Sequence, residues 1–168
     1  MKLLITGIDG FVGSHFYKFI KNSDYEVYGT SRDKLLVNNK TIFFLDLKDK
    51  DNINRLIQKL KPDYLALIAG FSSLRESFNH SEECLKINYE SSKIFLQSIY
   101  EQKLNTKVLL ISSAMVYSPT QDQITETFPT TNSSPYAHSK LLTENLIREF
   151  PSIKIICIRR INPFLIRA

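Results

Sequence analysis

Tyr136 and Lys140 stand four residues apart in the run Pro135-Tyr136-Ala137-His138-Ser139-Lys140. On a helix that spacing puts both side chains on one face. A phenol with a pKa of about 10 is a poor proton donor or acceptor at neutral pH. A neighbouring ammonium favours the phenolate and draws the pKa down, which makes the tyrosine usable as an acid or base. Upstream, Ser112-Ser113-Ala114-Met115-Val116-Tyr117 closes an apolar run. Ser113, delivered by the end of that strand, is placed to hydrogen-bond the same substrate oxygen. A Tyr-x-x-x-Lys pair alone is common by chance, so its meaning depends on what accompanies it.

It is accompanied by Gly7-Ile8-Asp9-Gly10-Phe11-Val12-Gly13, directly after the apolar run Leu3-Leu4-Ile5. A strand, a loop with glycines at these positions and a helix starting near Phe11 place backbone N–H groups and the positive end of a helix dipole where a pyrophosphate can sit. Gly7 suits the tight turn, Gly10 the close approach of phosphates, and Gly13 the packing of helix on strand. In NAD sites an acidic residue at the end of the second strand holds the ribose 2′-hydroxyl. Here Gly29-Thr30-Ser31-Arg32 stands in that place. Arg32 suits the 2′-phosphate of NADP, with Thr30 and Ser31 hydroxyls in support; NADP is therefore the expected cofactor and NAD the alternative. Asp46-Leu47 is the next candidate contact, for the adenine amino group, with helix capping as the competing role for Asp46. Ala69-Gly70 are small enough to let a cofactor pass over the sheet edge.

These residues need a scaffold that brings strand ends together. Short Val-, Ile- and Leu-rich runs alternate with segments of helical period, which predicts an α/β fold, a Rossmann-type doubly wound parallel sheet of about six strands with helices on both faces. Strands are expected at 2–6, 26–29, 41–45, 64–68, 107–111 and 154–158, and helices at 11–21, 51–60, 81–101 and 135–149. In the first helix Val12, Phe16, Phe19 and Ile20 form the expected packing stripe. Pro62-Asp63 and Pro151 mark helix ends, and the polar stretch 117–134 reads as a surface loop beside the strand ends.

Taken together, Thr6-Gly7-x-x-Gly10-Phe11-x-Gly13, Asp46-Leu47, Ile68-Ala69-Gly70, Ile87-Asn88, Ser113-x-x-Val116-Tyr117, Pro135-Tyr136-x-x-x-Lys140 and Arg159-x-x-Asn162 closely resemble the extended short-chain dehydrogenase/reductase superfamily. That is the epimerase/dehydratase family of nucleotide-sugar epimerases, dehydratases and reductases. The resemblance implies that Tyr136 is the acid/base, that Lys140 also holds the nicotinamide ribose, that Ser113 orients the sugar carbonyl, and that Asn88 borders the cofactor. It implies hydride transfer between nicotinamide and a sugar carbon. The 4,6-dehydratases of this kind carry an acidic residue after the catalytic Ser/Thr, whereas this chain has Ala114-Met115. The stretch from Ala69 to Phe78 is similar to GDP-4-keto-6-deoxy-mannose reductases, so a 4-ketoreductase is expected first and a nucleotide-sugar epimerase second. In the family a substrate domain follows the Arg-x-x-Asn segment, whereas here the sequence stops at Ala168. The expectation is a single truncated NAD(P)-binding domain over 1–168, with the competing reading of a cofactor-binding chain that does not turn over substrate. The resemblance also implies a homodimer through the helices at 81–101 and 135–149.

Composition sets the outer limits. In 168 residues, 43% hydrophobic and 23% charged side chains suffice for one domain with a buried core. The net charge of +5 suits an anionic ligand. Its basic residues are scattered singly and no nucleic-acid-binding motif accompanies them, so no nucleic-acid partner is expected. Cys84 and Cys157 lie far apart and read as two buried thiols, and three dispersed histidines offer no metal site. No apolar run reaches membrane-spanning length, and the expected location is cytoplasmic.

Overall fold

The computed structural model describes residues 1–38, 40–121 and 123–160. Six parallel strands, β1 (Lys2–Ile5), β2 (Glu26–Ser31), β3 (Ile42–Phe44), β4 (Tyr64–Leu67), β5 (Lys107–Ser113) and β6 (Ile155–Arg160), form one sheet in the order β3-β2-β1-β4-β5-β6. The order reverses direction at β1, which pairs with β2 on one side and β4 on the other. Loops leaving β1 and β4 therefore diverge and open a crevice at the carboxyl ends of the strands.

Alternation along the central strands feeds two cores at once. Leu4, Leu65 and Leu67 point into a core shared with α2 (Lys50–Leu60) and α5 (Ser91–Glu101), through Ile53, Ile57, Phe95 and Ile99, and with Leu146 of α6 (Pro135–Glu149). Leu3, Ile5 and Ala66 point the other way, against Ile20 of α1 (Phe11–Ile20). The expected doubly wound α/β architecture, with helices on both faces, is what the chain adopts. Over β6, Ile156 and Ile158 are exposed, so the edge strand alternates with only one covered side.

The helix boundaries have local causes. The Asp49 carboxylate accepts the Asn52 amide at 3.0 Å and starts α2, whose Ile53, Leu56, Ile57 and Leu60 are all buried. Ser134 caps α6 by accepting from the Ala137 amide, with Pro135 in the first helical position.

The structure departs from the sequence expectations in several places. Strands β2, β5 and β6 each run about two residues further than expected, which brings Ser31, Ser113 and Arg160 into the sheet as terminal residues. A helix not anticipated from periodicity, α3 (Leu74–Asn79), starts where Ser73 accepts the Glu76 amide at 3.1 Å; Ser73-Leu74-Arg75-Glu76 is the capping pattern that announces it. The stretch 81–101 is one helical run, but α4 (Ser81–Leu85) and α5 are joined by a π-helical turn at Lys86–Glu90. Phe19 is 86% exposed and does not belong to the packing stripe of α1. Close approach at Gly13 narrows that stripe to Gly13, Phe16 and Ile20, and Phe19 lies off to one side. Cys84 is buried as expected, whereas Cys157 is only half-buried on the edge strand. Asn162 of the Arg-x-x-Asn motif lies outside the described residues. No helix among the described residues is long and apolar enough to cross a membrane.

Candidate active site at the carboxyl ends of the strands

The glycine loop is shaped by two close approaches. Gly7 has φ +64°, and a Cβ there would lie 2.9 Å from Ala69 Cβ. A Cβ on Gly13 would lie 2.0 Å from the Gly7 carbonyl oxygen, so the first turn of α1 sits directly on the loop. Only glycine meets both demands. The loop is pinned from β2, because the Thr30 hydroxyl oxygen accepts the Gly7 amide at 3.1 Å and the Thr30 carbonyl accepts the Ile8 amide at 3.0 Å.

Above this loop lies a cleft of about 410 Å³. Gly7, Gly10, Phe11, Val12 and Gly13 form its floor from the β1–α1 side. Ser31 and Arg32 line it from the end of β2, Asp46 and Leu47 from the end of β3, and Ala69 and Gly70 from the end of β4. Sequence reasoning passed over Asp9, Ile68, Ser72, Ile87 and Arg160, which line the same cleft. Arg160 was legible in principle, since side chains alternate along β6 and Arg159 faces away into a separate ion pair. The Asp46 carboxylate accepts the Lys48 amide at 2.9 Å and closes a short turn, while capping of α2 falls to Asp49.

Asn88 does not line this cleft. It is buried in the π-helical turn, behind the strand end it supports. Its Oδ1 accepts the Phe71 amide at 2.9 Å, and its Nδ2 donates to the Phe71 carbonyl at 3.1 Å and to Ser139 Oγ at 2.9 Å. Ser139 in turn donates to the Tyr136 carbonyl at 2.7 Å. One side chain thus ties the loop after β4 to the first turns of α6. The extra residue of the π turn is a device that recurs at functional sites.

At the same strand edge Ser113, Tyr136 and Lys140 come together. Ser113 is buried at the end of β5, where its hydroxyl oxygen accepts the Met115 amide at 3.1 Å, and its side chain pulls the Tyr136 phenol pKa down. Lys140 Nζ is buried, donates to the Ile111 carbonyl at 2.9 Å and sits 5.9 Å from the centroid of the Tyr136 ring. Burial lowers the Lys140 pKa to about 8. The Tyr136 phenol is shifted up rather than down. Burial is the dominant cause, and the opposing pulls of Ser113 and the Arg160 charge are smaller. The expected depression by Lys140 is absent because the ammonium is aimed at a backbone carbonyl and its own charge is disfavoured by burial.

The far end of α6 is fastened separately. Glu144 receives two hydrogen bonds from Arg159, at 3.0 and 2.7 Å, and one from the Ser112 hydroxyl. Arg159 also packs 4.8 Å from the centroid of the Tyr117 ring. Helix α6 is therefore braced against β5, β6 and the loop after β5, which fixes the positions of Tyr136 and Lys140.

The family model described as "NAD dependent epimerase/dehydratase family" matches residues 3–165. The chain is similar to UDP-glucose 4-epimerase of Bacillus subtilis, at 25% identity over 98% of this chain and 53% of that protein. Among solved structures it resembles UDP-glucose 4-epimerase from Bifidobacterium longum in complex with NAD+ and UDP, at 25% identity and a TM-score of 0.83, over 95% of this chain and 52% of the other. It also resembles RMD from Pseudomonas aeruginosa complexed with NADPH, at 25% identity and a TM-score of 0.81, over 96% and 55%. The chain spans about half the length of the curated relatives it matches.

Proposed function

The chain belongs to the NAD dependent epimerase/dehydratase family, and on that premise we propose that it is the dinucleotide-binding part of a nucleotide-sugar 4-epimerase. The observation that carries this reading is the placement of Ser113, Tyr136 and Lys140 at one strand edge beside the cleft over the glycine loop. Sequence put the reductase before the epimerase; the UDP-glucose 4-epimerases among the similar proteins support the epimerase better. Residues 1–168 are read as one NAD(P)-binding domain.

The cleft fits a dinucleotide. Gly7 and Gly13 leave a cradle that side chains would fill, and the start of α1 directs its amides into it. Gly7, Gly10, Phe11, Val12 and Gly13 would hold the pyrophosphate, and Ser31, Arg32, Asp46 and Leu47 the adenosine. Ala69 and Gly70 would give room to the nicotinamide half, with Asn88 supporting that edge from behind. When bound, the nicotinamide would take a hydride from, or return one to, a sugar carbon. Tyr136 would pass the proton of the hydroxyl on that carbon, Ser113 would orient the oxygen, and Lys140 would hold the nicotinamide ribose. Arg32 at the mouth of the cleft argues for NADP, and Asp9 beside it argues for NAD.

A second reading, a 4-ketoreductase acting on a GDP-4-keto-6-deoxy sugar, is favoured by Arg32 and by the stretch from Ala69 to Phe78. One pair of assays separates the readings. With NAD and UDP-glucose, an epimerase yields UDP-galactose with no lasting change in nicotinamide absorbance. With NADPH and GDP-4-keto-6-deoxymannose, a reductase consumes the nicotinamide band. Dinucleotide binding with neither outcome would favour the chain that holds cofactor without turnover. The helices α4, α5 and α6 are the proposed dimer surface, tested by sedimentation.

A further inference from the structure

The end of β2 is where a nucleotide site ordinarily carries its acidic ribose ligand. In this chain that place holds Ser31, and the carboxylate arrives from elsewhere. Ser31 Oγ donates to Asp9 Oδ2 at 2.7 Å, across 22 positions of sequence. Asp9 belongs to the glycine loop and lines the same cleft as Ser31 and Arg32. We propose that Asp9, held at the end of β2 by Ser31, accepts the adenosine-ribose hydroxyl and selects NAD over NADP. The proposal rests on the dinucleotide reading above.

Three features support it. A serine hydroxyl has one proton to give, and the Ser31 proton is committed to Asp9 while its oxygen accepts the Asp33 amide at 2.9 Å. Ser31 is buried and is thus a brace for Asp9 rather than a free donor to a 2′-phosphate. Thr30 is buried as well, with its hydroxyl oxygen occupied by the Gly7 amide. The two hydroxyls that would have assisted Arg32 in holding a phosphate are both engaged in shaping the loop. Asp9 itself is exposed to the cleft, and its Oδ1 has no hydrogen-bond partner among the described residues. A free carboxylate oxygen accepts from a ribose hydroxyl, whereas a 2′-phosphate carries like charge into the same space and is repelled. Arg32 opposes that repulsion, but it works without the hydroxyl partners.

The test is titration of the 168-residue chain with NADH and NADPH, followed by nicotinamide fluorescence; the chain has no tryptophan to interfere. The wild-type chain is expected to bind NADH about 10-fold or more tighter than NADPH. Asp9→Asn should close most of that gap by strengthening NADPH binding while NADH weakens several-fold. Asp9→Ser should do the same, which guards against a peculiarity of the amide. Ser31→Ala should reduce the discrimination with the charge retained, because it removes only the brace. Tighter binding of NADPH by the wild-type chain, or equal shifts for both dinucleotides in the Asp9 variants, would overturn the proposal and leave the dinucleotide reading intact. Failure of the folded chain to bind either dinucleotide would overturn both.

Discussion

The Lys140 ammonium donates to the carbonyl of Ile111 at 2.9 Å, so the cation of the Tyr-x-x-x-Lys pair is anchored to the sheet. It is a buried charge whose pKa falls to about 8 because desolvation disfavours the ionised form. The unfolded chain therefore holds a proton on this lysine that the folded chain releases between about pH 8 and the ordinary lysine range. In that window this group makes stability rise with pH; below it, the charged lysine weighs against the fold. Lys140→Met should raise stability at pH 6–7 by about 1–3 kcal/mol, with the gain shrinking as pH increases through the window. Urea unfolding of both chains across pH 6–10 checks the sign, and a gain that grows with pH would contradict it.

Gly13→Ala should be among the most damaging single-methyl additions in the chain. The new Cβ would sit 2.0 Å from the Gly7 carbonyl oxygen, so α1 must move away from the loop. A loss of about 2–4 kcal/mol is expected from forced overpacking at a backbone contact. Thermal unfolding monitored by circular dichroism reads it, alongside weaker binding of reduced nicotinamide dinucleotide.

Asn88→Ala removes four hydrogen bonds at once, to the amide and carbonyl of Phe71, to Ser139 Oγ and to Cys84 Sγ, and strands the two Phe71 groups. With the group buried, a cost of about 2–4 kcal/mol follows from leaving polar atoms unsatisfied. Asn88→Asp, which keeps the acceptor but loses both donor hydrogens, should also destabilise the chain. A double-mutant cycle with Ser139→Ala should show coupling; simple additivity would argue against a shared network.

Glu144→Ala takes away the partner of Arg159 and of the Ser112 hydroxyl. The pair is only partly exposed, 14% at Glu144 and 27% at Arg159, and breaking it should cost about 3 kcal/mol. Glu144→Gln should cost less, since it retains an acceptor. Equal losses for the two variants in chemical denaturation would show that charge rather than hydrogen bonding holds α6.

Arg32→Ala should weaken NADPH by about 10- to 100-fold, the worth of a charge-assisted hydrogen bond, and leave NADH nearly unchanged. The same fluorescence titration measures it, and equal weakening of both dinucleotides would remove Arg32 from the ribose edge.

How much of this was legible beforehand follows from the range of the interactions involved. Strand and helix types, the glycine cradle and the Tyr136–Lys140 spacing are written in local periods, because burial on a sheet imposes a period of two and packing of a helix a period near 3.6, whereas Ser113 was joined to them by the family resemblance. Even α3 was announced by Ser73 and Glu76. What tertiary structure alone decided are meetings between distant segments: Asp9 with Ser31, Asn88 with Phe71 and Ser139, and Lys140 with Ile111. The sequence placed an arginine at the ribose edge and pointed to NADP; the fold brought an aspartate to the same edge from the glycine loop after β1. A residue type declares what it can bind, but its direction and its competitors are set by packing among elements dozens of residues apart. That is also why the Tyr136 pKa moved opposite to expectation, since burial, a property of the assembled fold, outweighed the neighbour that spacing had supplied.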